Sequence, residues 1–300
     1  MRRPVGNSVD SGGRRFCIVV CLALLALSAC KGQAPNPTEK KALRVISLNP
    51  SATELVVAVG GLELLVGVDR FSTYPPEVTS LPKVGDFIHP DLEAIVALHP
   101  DIVVCDAVQS RVISGLNSAG IRNLPLPLQT VNDVRHGLQA VGTALDRTAA
   151  AGDAIRRLDE TLASAEARVR AHRADAARPP RVLFVVDRRP GTLAGIIAAG
   201  PGTYLDELVV RAGGDNIFHG QPTRYLQITA EEIITRAPDV ILDAVHDTDT
   251  ARARADWDAL ETVPAVKAGR VHILGDTLFV TPGPRLGEAL ERLADLIWRW

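Results

Sequence analysis

Apolar residues fall along this chain in three rhythms, and each predicts a different kind of element. The first is a run over residues 16–29, preceded by Arg2, Arg3, Arg14 and Arg15. Its length, about 14 residues, is short of the roughly 20 that a helix needs to span a bilayer. A charged start, an apolar middle and the small residues Ser28 and Ala29 have the layout of an export signal. The second rhythm is a set of short apolar runs at 44–48, 65–68, 102–105, 181–186, 240–242 and 271–274, with helical segments between them. Strands alternating with helices predict parallel sheets covered by helices. The third is a stripe at positions 151, 155, 158, 162, 165 and 169, stepping by four and three along one face of a long amphipathic helix. No proline interrupts residues 148–177, and Pro179-Pro180 ends the segment. About 25 helical residues span roughly 37 Å, the width of a small domain.

Punctuation sharpens the shorter helices. Ser51-Ala-Thr-Glu54 reads as a capping box, with the helix ending at Gly60-Gly61. A helix over about 91–98 must stop before Pro100. Thr229-Ala-Glu-Glu232 reads as a second capping box, with Pro238 as its stop.

The same phrases occur twice, in the same order. Thr53-Glu-Leu-Val-Val-Ala-Val-Gly-Gly61 returns as Asp206-Glu-Leu-Val-Val-Arg-Ala-Gly-Gly214. Asp91-Leu-Glu-Ala-Ile-Val-Ala-Leu-His-Pro-Asp-Ile-Val-Val104 returns as Thr229-Ala-Glu-Glu-Ile-Ile-Thr-Arg-Ala-Pro-Asp-Val-Ile-Leu242. The expected fold is α/β: two parallel-sheet lobes of similar design joined by one long α-helix, with a ligand cleft between them. The expected divisions are an export signal at 1–29, a tether at 30–41, an N-terminal lobe at 42–147, a bridging helix at 148–178 and a C-terminal lobe at 179–300.

Composition narrows the function. Setting aside residues 1–29 leaves 29 basic and 34 acidic residues, a net charge of −5, which argues against nucleic acid as a partner. Of the four cysteines only Cys105 lies in the body, so no internal disulfide can form there, and a buried strand position is expected for it. No phosphate-binding or dinucleotide glycine loop and no Gly-x-Ser-x-Gly elbow occurs. The seven histidines are scattered, and no resident metal or cofactor is expected. An exported α/β enzyme is the rival from another class. Residues 31–41 (KGQAPNPTEKK) are polar with two prolines and read as a flexible tether. Leu27-Ser-Ala-Cys30 resembles the lipobox of bacterial lipoproteins, which implies a mature chain that begins at a lipidated Cys30.

The body as a whole resembles the periplasmic binding proteins for cobalamin, ferric siderophores and haem. The resemblance rests on Arg44-Val-Ile-Ser-Leu-Asn-Pro-Ser-Ala-Thr-Glu54, Tyr74-Pro-Pro76, Leu92-Glu-Ala-Ile-Val-Ala-Leu-His-Pro-Asp101 and Gly213-Gly-Asp-Asn-Ile-Phe218, and it is nearest to the cobalamin branch. It implies a monomeric subunit of an ABC importer, held on the membrane by its lipid, that delivers a metal chelate to a permease. It also implies that Glu93 and Glu231, at equivalent places in the repeat, dock onto that permease. Phe71, Phe87 and Tyr225 match aromatic cleft positions, with Phe87 and Tyr225 standing where tryptophan is usual. Asp276 and Phe279 match a further cleft-lining loop. Tyr74 joins this ligand-binding set through its place in the loop-like stretch 70–90, where flat rings suit a macrocycle. Phe218 is expected in the core. Arg188 and Arg224 read as surface arginines, and His89 and Tyr74 as the candidate axial ligands if the chelate is haem.

Overall fold

The computed structural model describes residues 1–4, 6, 42–173, 177–245 and 249–298. The apolar run 16–29, Cys30 and the tether 31–41 lie outside them. The N-terminal lobe alternates strand and helix: β1 (Val45–Ser47), α1 (Pro50–Ala58), β2 (Leu65–Val68), α2 (Leu92–Ala97), β3 (Ile102–Asp106), α3 (Ser110–Ser118), β4 (Asn123–Leu126) and α4 (Val131–Ala144). Its strands pair in parallel in the order β2-β1-β3-β4. β1 and β3 are buried at every residue, which is why they read as unbroken apolar runs.

The start of α1 departs from the sequence expectation. Asn49, not Ser51, is the N-cap: its Oδ1 accepts from the Ala52 N–H at 2.7 Å, and Pro50 takes the first helical position. Glu54 is therefore not a capping residue and is free for a distant partner.

Helix α5 (Thr148–His172) follows, and then the C-terminal lobe. This lobe holds β5 (Arg181–Asp187), β6 (Ile196–Ala199), α6 (Tyr204–Arg211), β7 (Asp215–Asn216), β8 (Tyr225–Ile228), α7 (Ala230–Arg236), β9 (Val240–Asp243), α8 (Thr250–Ala255), α9 (Pro264–Lys267), β10 (Val271–Ile273) and α10 (Leu286–Trp298). The order is β10-β9-β5-β6-β8, with β7 beside the start of β5. This sheet is not wholly parallel as expected, because β6 runs antiparallel to both β5 and β8. The cause is loop length. Residues 188–195, with Gly191 and Gly195 at positive φ, turn the chain directly, whereas a parallel crossover needs a dozen or more residues.

The repeated phrases fold alike. α1 and α6 both end at a glycine pair whose first member is left-handed, at φ 75° for Gly60 and 77° for Gly213. α2 and α7 are capped by Asp91 and Thr229, and the full capping box forms at Thr229 and Glu232. The residues before the two prolines, His99 and Ala237, share φ values of 45° and 43°.

The predicted stripe of α5 is the centre of the packing. Ala151, Leu158, Leu162, Ala165 and Val169 are at most 2% exposed. α4 packs on this helix from the first lobe and α10 from the second. One apolar cluster therefore joins Val45 and Val104 of the first sheet, Leu55 and Leu138 of its helices, Leu158 of α5, and Val182, Leu208 and Leu290 of the second lobe. Smaller clusters close the outer faces, around Ile46 and Ile95 in one lobe and around Leu183, Phe218 and Trp257 in the other. Leu158→Ala should cost about 2–5 kcal/mol. Because the core is shared, urea unfolding should remain one transition with a lowered midpoint, and two separated transitions would contradict the shared core.

Candidate functional site

The C-terminal ends of β2 and β3 build one wall of the cleft. After β2 the chain turns at Asp69, whose Oδ2 accepts the Phe71 N–H at 3.0 Å and whose Oδ1 accepts the Ser72 hydroxyl. Ser72 Oγ lies 2.6 Å from Thr53 Oγ1, which lies 2.6 Å from Ser47 Oγ. This buried chain ties the loop to α1 and β1, while the Phe71 ring stays 56% exposed. Burial pushes the Asp69 carboxyl above its ordinary value, against the pull of Ser72 and the Phe71 amide.

β3 ends at Asp106. Its backbone N–H donates to Gln109 Oε1 at 3.0 Å, its Oδ1 accepts the Val108 N–H at 2.9 Å, and Gln109 Nε2 donates to the Phe87 carbonyl at 2.9 Å. One clamp thus fixes both the strand end and the loop that carries Phe87. Beside it, Phe87, Ile88, Pro90, Leu92, Val108 and Arg111 line an open hollow of about 540 Å³. Ile88 and Val108 are 77% and 64% exposed, so the wall is apolar and faces solvent.

Tyr225 opens β8 on the other lobe, 41% exposed. Burial, opposed by Arg224 and reinforced by Asp106, pushes its phenol above the ordinary value. Behind Tyr225, the buried Tyr204 donates to the Phe279 carbonyl at 3.1 Å, and its backbone N–H donates to the Gln129 carbonyl of the first lobe at 2.6 Å. A second tie joins Arg285, ahead of α10, to Glu54 on α1, at 3.0 Å from Nε and 2.5 Å from Nη2. The Arg285 guanidinium also lies 3.9 Å from the centre of the Tyr74 ring. Burial pushes the Glu54 carboxyl up despite this partner.

Several expected site residues are placed otherwise. Phe279 does not line the cleft: its side chain is wholly buried, with Arg292 5.0 Å above the ring. Asp276 pairs with Arg292 at 2.6 Å and accepts the Leu278 N–H, so both carboxylate oxygens are engaged in its own lobe. Arg188 is no surface residue. It is buried between Asp243 and Asp256, 2.8 Å from each, beside the Trp257 ring. Those partners lie 55 and 68 residues away in sequence, which hid them. Arg224 is exposed, as expected. His89 is exposed and its backbone N–H donates to Asp86, making it part of a turn. Cys105 and Phe218 are buried, and desolvation with the neighbouring Asp106 pushes the Cys105 thiol up to about 12. Among the described residues, no three His, Cys, Asp or Glu side chains are gathered as a metal site.

The periplasmic binding protein family model matches residues 45–278. The chain belongs to this family. It is similar to the vitamin B12-binding protein of Vibrio parahaemolyticus, at 26% identity over 92% of this chain and 95% of that one. It is similar to an ABC transporter substrate-binding lipoprotein of Bacillus subtilis, at 28% identity over 87% of this chain and 81% of that one. Its fold is shared by the solved periplasmic haem-binding protein RhuT of Roseiflexus sp. RS-1, with a TM-score of 0.74, 27% identity, and coverage of 86% of this chain and 98% of that one. The family and these relatives are binding proteins. Among the described residues, no helix is long and apolar enough to cross a membrane.

This periplasmic binding protein also carries a matched pair of acidic positions. Glu93 and Glu231 are each the second residue of their helix, α2 and α7, and both are exposed. First-turn hydrogen bonds to its own N–H and to Thr229 hold the Glu231 carboxyl below its ordinary value. Glu232 spends its side chain on the Thr229 N–H at 2.9 Å. Three residues beyond each exposed Glu stands an exposed aliphatic side chain, Val96 at 42% and Ile234 at 45%.

Sequence reasoning missed Asp106, Gln109 and the Glu54–Arg285 tie. For Asp106 a signal was present: an acidic residue ends the apolar run 102–105, where strand ends of α/β sheets meet ligands. Burial pushes the Asp106 carboxyl above its ordinary value of 3.8, against the Val108 N–H that pulls it down. A carboxyl raised on folding weakens the fold as pH climbs through the window above its ordinary value. Asp106→Asn removes that cost and keeps the acceptor for Val108. The variant should have the higher melting temperature near neutral pH, with the gap closing as pH falls towards 3.8. Equal or lower stability near neutral pH would contradict this account of Asp106.

Proposed function

We propose that this chain is the solute-binding subunit of an ABC importer. In this reading it is exported, anchored by lipid on Cys30, and captures one cobalamin in the cleft between its lobes. The observation that carries the reading is the set of exposed rings at the strand ends of two lobes fixed on one core, Phe71 and Phe87 on one side and Tyr225 on the other; Tyr74 sits apart, under Arg285 in a hollow with Ala58 and Ala154. Flat apolar rings bury and stack a macrocycle, and capture needs a preformed cleft but no chemistry. The vitamin B12-binding and lipoprotein relatives support the ligand and the anchor respectively. Phe279 and Asp276 serve in this reading as support for the cleft rather than as its lining. Glu93 and Glu231 meet cationic side chains of the permease, with Val96 and Ile234 adding apolar contact beside each.

Calorimetric titration of the purified protein tests the ligand. Cyanocobalamin should bind one to one, and Phe87→Ala and Tyr225→Ala should each weaken it by about tenfold, as expected for loss of one stacked ring. Binding of haemin or a ferric siderophore in its place would keep the importer and replace the cobalamin. A second test addresses docking. The double variant Glu93→Lys with Glu231→Lys should abolish uptake in cells while leaving ligand affinity unchanged. Weakened ligand binding by that variant would instead place these residues in the cleft.

A further inference from the structure

Asp106 sits where the first sheet changes direction. In the order β2-β1-β3-β4, the chain leaves β1 towards one edge and β3 towards the other, so the space beyond the ends of β1 and β3 is the topological switch point. Asp106 is the last residue of β3 and is 8% exposed. Its Oδ1 is engaged by the Val108 N–H and its main chain by Gln109. Its Oδ2 accepts no hydrogen bond, and no cation pairs with it, among the described residues. The other buried carboxylates of the fold behave differently. Glu54 is held by Arg285, Asp243 by Arg188 and Trp257, Asp69 by Ser72 and a backbone amide, and Asp206 by Asn216 and His219. A carboxylate held at a switch point with one oxygen unengaged can take a donor only from outside the chain.

We propose that Asp106 is a specificity-determining residue of the cleft, selecting chelates whose rim carries hydrogen-bond donors, such as primary amides, over chelates whose rim carries carboxylates. The inference rests on the reading of the cleft as a metal-chelate site and deepens it. A corrinoid carries amide side chains around its ring, and an amide N–H can donate to the open Oδ2. Haem carries two propionates, and a propionate at the same place sets two carboxylates against each other in a partly desolvated site. A site built to receive a donor rejects a ligand that lacks it more strongly than an apolar wall can. The Gln109 clamp on the Phe87 carbonyl ties this selector to the neighbouring aromatic contact, so ring and donor are read together.

The test is equilibrium binding by the full chain, purified in detergent, of cyanocobalamin, of cobalamin monocarboxylic acids in which one amide is hydrolysed, and of haemin. The parent should prefer cyanocobalamin to at least one monocarboxylic acid by about tenfold or more, as expected for an interaction with a charged group. Asp106→Asn can donate as well as accept, and it should erase that preference and raise affinity for haemin. Asp106→Ser, a smaller polar side chain, should do the same and guards against an effect peculiar to asparagine. Unchanged preference in both variants, with cyanocobalamin still bound, overturns the role of Asp106 alone. Haemin bound more tightly than every corrinoid by the parent overturns the cobalamin reading and this inference with it.

Discussion

The fold depends on a single shared core. The apolar stripe of α5 is buried at Ala151, Leu158, Leu162, Ala165 and Val169 and half-buried at Ile155, α4 closes on it from the first lobe, and α10 closes on it from the second. A lobe cannot swing far about such a helix without exposing residues such as Leu158 and Leu162 to water, at roughly 25 cal/mol for each Å² uncovered. Two polar seams reinforce the core. The Tyr204 amide reaches the Gln129 carbonyl, and Arg285 reaches Glu54 beneath Tyr74. A cleft between lobes held in this way is set before ligand arrives, so little binding energy goes into shaping it.

Within that frame the polar residues divide by whether the chain itself satisfies them. The Arg188 cluster is a closed network with two aspartates, three carbonyls and a tryptophan N–H at hydrogen-bond distance. It locks the hairpin loop between β5 and β6 to α8. The Ser47–Thr53–Ser72–Asp69 chain is closed too, and it holds the loop that projects Phe71. Closed networks of this kind rigidify. Asp106 stands apart, because only one of its oxygens is engaged by the chain. In the reading proposed above, these held rings and the open carboxylate together receive a flat ligand with donors at its rim.

Much of this was legible in the sequence where one physical cause acts locally. Strands buried on both faces are continuous apolar runs, so β1, β3, β5 and β9 announced themselves. The stripe of α5 follows from helical period alone, and the duplicated glycine pairs mark the same left-handed helix end twice. What was hidden depends on distance or on length. The antiparallel β6 follows from a loop too short for a crossover, and the alternation of strands and helices does not show it. Arg188 looks exposed until its partners, far along the chain, are known. Phe279 follows a strand in a loop, yet the second lobe closes over it. Asn49 displaced Ser51 as the cap because Pro50 fixes the first helical residue, a competition between two good local signals.

The central claim is that a flat chelate fits a cleft already shaped by the shared core. A crystal structure of the protein loaded with cyanocobalamin tests it most directly. The account predicts a corrin ring between Phe71 and Phe87 on one side and Tyr225 on the other, an amide nitrogen within hydrogen-bond distance of Asp106 Oδ2, and the Tyr204–Gln129 and Arg285–Glu54 contacts unchanged. A complex with those interlobe contacts broken and the lobes rotated about α5, or with the corrin seated away from these rings, would contradict it.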